Sequence, residues 1–122
     1  MFKSLILVPL LLSNIFASEI GANLFEQKCS SCHLKQRPHV DQMHLMIAPP
    51  IKGVMFHVGE KYSSKKEVVG FITDYIFNPA QNKAVCMTQS IEKFGIMPSQ
   101  KGSLTPQEAK IIAEYLFDSY PQ

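Results

Sequence analysis

Charge is scarce in this chain, and neither sign dominates. Twelve Lys and Arg stand against ten Asp and Glu, a formal charge of +2 over 122 residues. That balance excludes the concentrated basic footprint of a nucleic-acid binder. Long apolar runs are lacking too. The stretch Leu5–Phe16 covers only twelve residues and contains Pro9 and Asn14, which is short for a membrane span. There is no internal repeat, linker or low-complexity segment, so the length bounds one small domain. No segment reads as a strand, and the chain is expected to be all-α with long irregular loops. Cysteine is sparse, three in all, but two of the three stand together.

Those two lie in Cys29-Ser30-Ser31-Cys32-His33, a C-x-x-C-H pentapeptide. The pattern is the attachment site of a c-type haem. Two thiols add across the vinyl groups and form thioether bonds. Two intervening residues let one turn present both sulfurs to one edge of a porphyrin. The adjacent imidazole of His33 is then the proximal iron ligand. C-x-x-C also occurs in zinc sites and thioredoxin-like redox motifs. The first would want a second Cys/His pair at ligand spacing, the second a βαβ context, and the chain offers neither.

Covalent haem attachment requires an oxidising compartment, and the N-terminus reads as an export signal. Lys3 supplies the positive charge, Leu5–Leu12 the apolar core, Ser13 and Asn14 a break, and Ala17 a small residue for cleavage. Residues 1–17 are therefore expected to be a cleaved signal peptide, with a cut after Ser18 as the alternative; an uncleaved membrane anchor is the rival. Ile15 at the −3 position is not ideal for an A-x-A site. A domain over 18–122 remains; losing Lys3 leaves it a formal +1. Periplasmic location follows. The leftover Cys86 is expected to be a small buried residue, a disulfide dimer through it being the alternative.

Capping and periodicity predict three main helices and a short one. The first runs from about Glu19 to Lys28, with Ser18 as N-cap and Ile20, Leu24 and Phe25 on its apolar side. Residues 34–62, punctuated by Pro38, Pro49, Pro50, Gly53 and Gly59, read as loop. Lys65–Phe77 follows a Ser64-x-x-Glu67 capping box and is stopped by Asn78-Pro79. Thr88–Phe94 is short and ends at Gly95. The last helix starts from a Thr105 cap, Pro106 and Glu108, and buries Ala109, Ile112, Ala113, Tyr115 and Leu116. Long loops in so small a domain are reconciled by a cofactor that they wrap.

A haem iron with one His has a sixth position. Met97-Pro98 is the best candidate: it follows Gly95 between two helices, Pro98 stiffens the chain beside the sulfur, and 64 residues separate it from His33. A thioether is soft and favours ferrous iron, raising the potential. Met43, Met46, Met55 and Met87 are expected to fill core gaps instead. His39, His44 and His57 are the competing ligands.

These patterns together resemble a class I cytochrome c, the small bacterial periplasmic type with one haem. Gly21 and Phe25 precede Cys29 at the spacing of that family's N-terminal helix, where Gly permits close crossing of the C-terminal helix. Ile112 and Tyr115 match the Leu/aromatic pair on that last helix. Ala48-Pro49-Pro50-Ile51-Lys52-Gly53 resembles the family's G-P-x-L-x-G loop, with Ala48 in place of Gly. The resemblance makes the Pro49 carbonyl the acceptor for Nδ1–H of His33, a bond that fixes the tautomer and raises ligand basicity. The family's frequent haem-packing Trp has no counterpart, since the chain has no Trp. Tyr62, Arg37 and Lys52 are candidates for the haem propionates.

What the resemblance implies is a cytochrome c fold around one covalent haem c with its iron. The expected role is a monomeric, non-enzymatic electron carrier. It would shuttle single electrons between a membrane-bound donor and an oxidase or peroxidase acceptor. Lysines such as Lys52, Lys61, Lys65, Lys66, Lys83, Lys93 and Lys101 would help orient acidic redox partners. Two rivals remain. One is a haem-bearing subunit of a membrane respiratory complex; the other is a haem enzyme or gas-binding protein with an open sixth site, for which His44 or His57 would have to supply acid–base chemistry.

Overall fold

The structure, a computed structural model, describes residues 9–121, with side chains from Asn14 onward. Five α-helices follow one another: α1 (Pro9–Lys28), α2 (Ile51–Lys61), α3 (Lys65–Tyr75), α4 (Thr88–Phe94) and α5 (Pro106–Ser119). A 3-10 helix, Val40–Leu45, interrupts the segment between α1 and α2. Among the described residues there is no strand, only one isolated bridge between Lys101 and Leu104. The fold is all-α, as the sequence predicts.

α5 is the hub, packing on both α1 and α3. It buries Ala109, Ile112, Ala113 and Leu116, an i, i+3, i+4, i+7 stripe that faces one direction on a 3.6-residue period. Phe25 of α1, Val68 and Ile72 of α3, and Leu104 from the approach to α5 meet that stripe. Gly21 sets how closely α1 lies on α5. A Cβ built there would stand 2.5 Å from Tyr115 Cβ and 3.2 Å from the Ile111 carbonyl oxygen. One turn on, the Phe25 and Tyr115 rings meet with centroids 6.1 Å apart. Lys65 reaches Asp118 at 3.0 Å, joining the start of α3 to the end of α5; both are exposed, so this pair adds little stability.

The N-terminus of α5 carries both halves of a capping box. Thr105 Oγ1 accepts from the Glu108 N–H at 3.1 Å, and Glu108 Oε1 accepts from the Thr105 N–H at 3.4 Å. Thr105→Ala removes the first of these and should cost about 1 kcal/mol, read as a Tm drop of about 4–8 °C in thermal unfolding. At α3 the cap is offset. Ser64 accepts from the Glu67 N–H as expected, but the Glu67 carboxylate accepts from Ser63 N–H, one residue further out.

Three expectations need correction. Residues 51–61 are not loop but α2, which buries Ile51, Met55 and Val58 at i, i+4, i+7. Pro50 does not break this helix; it stands just ahead of it, at φ −56°, where a missing N–H costs nothing. α1 does not begin at a Ser18 cap. It runs unbroken from Pro9, leaving Ile20 half exposed rather than buried. Of the four methionines expected in the core, only Met55 is fully there; Met87 is 52% exposed. Residues 1–8, with Lys3 and the start of the apolar run of the signal reading, lie outside the described residues.

Candidate functional site

The site is built where α1 stops. Phe25 O accepts from both Cys29 N–H (2.8 Å) and Ser30 N–H (3.0 Å), and Ser30 Oγ caps Glu26 O at 2.6 Å. Cys29 O then accepts from Cys32 N–H at 3.2 Å and His33 N–H at 2.9 Å. Those two bonds wind residues 29–33 into one turn, so both sulfurs and the imidazole leave the same short stretch. Cys29 is half-buried and Cys32 exposed. Burial, with the neighbouring Cys32 as the lesser cause, pushes the Cys29 thiol up to about 11.

His33 is held from a second element. Its Nδ1 lies 2.8 Å from the carbonyl oxygen of Pro49, and Leu34 O accepts from Ile51 N–H at 2.9 Å. The two bonds lace His33–Leu34 to the strap that leads into α2. A carbonyl oxygen only accepts, so Nδ1 carries the proton and the lone pair of the neutral ring sits on Nε2. The ring is thereby oriented with one metal-binding nitrogen free of this bond.

Met97 stands on a different loop, half-buried, between α4 and α5. Gly95 ends α4 at φ +76°, a left-handed conformation that suits glycine. The chain beyond Met97-Pro98 is pinned to the end of α3: Gln100 N–H donates to Ile76 O at 2.8 Å and Ser99 Oγ to Phe77 O at 2.7 Å. The Met97 loop is thus fastened on its far side without help from the sulfur. Among the competing ligands, His39 and His44 are exposed, and His57 Nδ1 is paired with Glu60 at 2.8 Å. Met43 accepts from the Arg37 guanidinium at 3.6 Å. Cys86 is half-buried and unpaired with another sulfur; burial raises its pKa.

Sequence reasoning missed a set of exposed apolar side chains. Val40, Leu45, Ile47 and Phe56 follow the His33 turn, and Met87 and Ile96 precede Met97. They occupy the segments that bear or adjoin the candidate ligands. Two thiols on one turn, an oriented imidazole, a thioether on a fastened loop and these uncovered apolar groups suit one large, flat, apolar, iron-bearing group. The residues present fit a haem.

The family described as cytochrome c oxidase, cbb3-type, subunit III matches residues 17–116. The chain belongs to this family. It is a cytochrome c, a haem-bearing electron-transfer protein whose haem c is covalently bound and whose partners are redox proteins. An uncharacterized protein of Aquifex aeolicus (strain VF5) is 28% identical over 113 residues, covering 84% of this chain and 74% of that one. No solved structure matches. Cytochrome c domains are typically extracytoplasmic, and no helix among the described residues is long and apolar enough to cross a membrane.

Proposed function

We propose that this cytochrome c is a periplasmic, class I carrier of single electrons with one haem. Cys29 and Cys32 form the thioethers, His33 Nε2 and Met97 Sδ hold the iron, and the Pro49 carbonyl orients His33. The observation that carries the reading is the 2.8 Å bond between His33 Nδ1 and Pro49 O. It commits one nitrogen to the protein and leaves the other for the metal. One haem is favoured because three cysteines make only one C-x-x-C-H. When bound, the haem supplies a reversible one-electron couple. His33 and Met97 would hold the haem iron, and the fastened Met97 loop would screen it from small ligands. Met97, as a soft donor, raises the potential.

Export with a cut after Ala17, or after Ser18, is supported by the exposure of Ile15 and Phe16 on α1, 63% each. The carrier is expected to be a monomer serving a membrane-bound donor and an oxidase or peroxidase acceptor. The family's description favours a second reading, a haem-bearing subunit of an oxidase complex. The two differ in whether the native protein leaves the membrane in salt alone.

The reduced protein should show a six-coordinate ferrous c-type spectrum that carbon monoxide does not change. Met97→Ala should bind carbon monoxide at once. It should also lower the potential, within the range of about 0.8 V over which axial ligands move haem couples. A wild-type protein that takes up carbon monoxide rapidly has a labile sixth site, and the carrier reading gives way to gas binding or catalysis.

A further inference from the structure

Met97 is carried by a stretch of chain that is fastened at its two ends and little between them. Among the described residues, the hydrogen bonds of residues 86–97 only close α4 on itself. Met87 O accepts from Ser90 N–H at 2.9 Å and from Ile91 N–H at 3.3 Å, and Ile91 O accepts from Gly95 N–H at 2.8 Å. None of these residues is buried by the chain.

Both ends of the stretch are tied to one place, the exit of α3. Residues 76–78 continue no helix, so their carbonyls need partners from elsewhere. Three consecutive ones find them. Ile76 O accepts from Gln100 N–H at 2.8 Å, Phe77 O from Ser99 Oγ at 2.7 Å, and Asn78 O from Lys83 Nζ at 3.2 Å. Lys83 also meets Asp74 Oδ2 at 2.8 Å, which holds the turn that leads into residues 86–97.

The exit is held mainly by Ser99, two residues past Met97. Its hydroxyl is used twice, donating to Phe77 O and accepting from Lys101 N–H at 3.3 Å. Gln100 extends the hold in both directions. Its Nε2 donates to Pro98 O at 2.9 Å, and its carbonyl accepts from Leu104 N–H at 3.2 Å. Leu104 belongs to the core. Between Pro98 and the core the chain is therefore continuous in hydrogen bonds, and the Ser99 hydroxyl joins that run to α3.

We propose that Ser99 is a positioning residue for the sixth iron ligand. By fastening the exit of the Met97 loop to Phe77 O, it sets the fraction of time for which the sulfur leaves the iron. The inference rests on Met97 as that ligand. The stretch 86–97 has few other ties, so opening needs little beyond release at one end and loss of the sulfur–iron bond. The Ser99 bond is exposed, so its effect on the ratio of closed to open loop is modest, about three- to tenfold.

The test titrates the ferric holoprotein with imidazole, which reaches the iron only where Met97 has left it. Apparent affinity then scales with the open fraction, and Met97→Ala gives the fully open limit. Ser99→Ala should raise imidazole affinity about three- to tenfold and speed hydrogen exchange at the Gln100 amide by a similar factor. Ser99→Thr keeps a hydroxyl and should stay at the wild-type value. Ser64→Ala removes a hydroxyl bond at the opposite end of α3; it should lower the Tm and leave imidazole affinity unchanged. The inference is overturned if Ser99→Ala binds imidazole like wild type while Met97→Ala binds it more tightly, or if Gln100 exchange does not quicken. It is overturned also if Ser64→Ala mimics Ser99→Ala, since the effect is then one of overall stability, or if Ser99→Thr does, since the hydroxyl is then not the cause. If Met97→Ala binds imidazole no more tightly than wild type, Met97 is not the sixth ligand, and that reading falls together with this one.

Discussion

Replacing both Cys29 and Cys32 with alanine should give a protein with no covalent haem and no stable fold at room temperature. The thiols are the only groups on the 29–33 turn able to form thioethers, so haem would then be held by coordination alone. The consequence for folding comes from the apolar surface. Val40, Leu45, Ile47, Phe56, Met87 and Ile96 range from 37% to 86% exposed. Burying a large apolar side chain is worth about 1.5–3 kcal/mol. Six of them, half realised against a porphyrin, come to roughly 5–9 kcal/mol, the scale of an entire small domain's stability. A single replacement should keep the haem through the remaining thioether, with Cys29→Ala the worse of the two because its side chain also packs against the core. Acid–acetone extraction reads the covalent link, and helical circular dichroism against temperature reads the fold. A double variant that melts like wild type would mean these side chains are not covered by haem.

The helices legible beforehand were those announced by local chemistry: α3 and α5 by their caps, α4 by the Gly95 stop. α2 is hidden because Pro49-Pro50, Gly53 and Gly59 are, by local chemistry, breakers. Yet Pro50 precedes the helix, Gly53 lies on its exposed side, and the Ile51, Met55, Val58 stripe was available to a count of periodicity. Cap preference favours a start for α1 at Ser18, and helix continuity from Pro9 overrides it. In the candidate site, Cys29, Cys32 and His33 follow from adjacency in sequence. The Pro49 carbonyl does not. Every residue has a carbonyl, so only the resemblance pointed to this one, sixteen residues away. The exposed apolar set was illegible for a related reason: side chains that would cover a flat cofactor follow no helical or strand period.

Gly21 is the position where the smallest change should have the largest structural cost. At an ordinary exposed helix position Gly→Ala stabilises by roughly 0.5–1 kcal/mol. Here the added methyl would stand 2.5 Å from Tyr115 Cβ and 3.2 Å from the Ile111 carbonyl oxygen. Neither neighbour can swing away, since one is fixed to the α5 backbone and the other belongs to it. α1 and α5 must separate, and everything buried between them loosens, Phe25 and Ile112 first. Overpacking of this kind costs about 1–3 kcal/mol, and backbone displacement puts the case at the upper end. Gly21→Ala should therefore lower the holoprotein's Tm by at least about 5 °C, and Gly21→Val by more. The geometry also fixes what rescues it. Tyr115→Ala removes only the 3.1 Å contact with Cγ and keeps the closer Cβ, so it should help little, whereas Tyr115→Gly removes both and should recover more of the loss from Gly21→Ala despite its own cost. If Gly21→Ala raises the Tm, as it would on an uncrowded helix, the close crossing of α1 on α5 is not what the glycine serves.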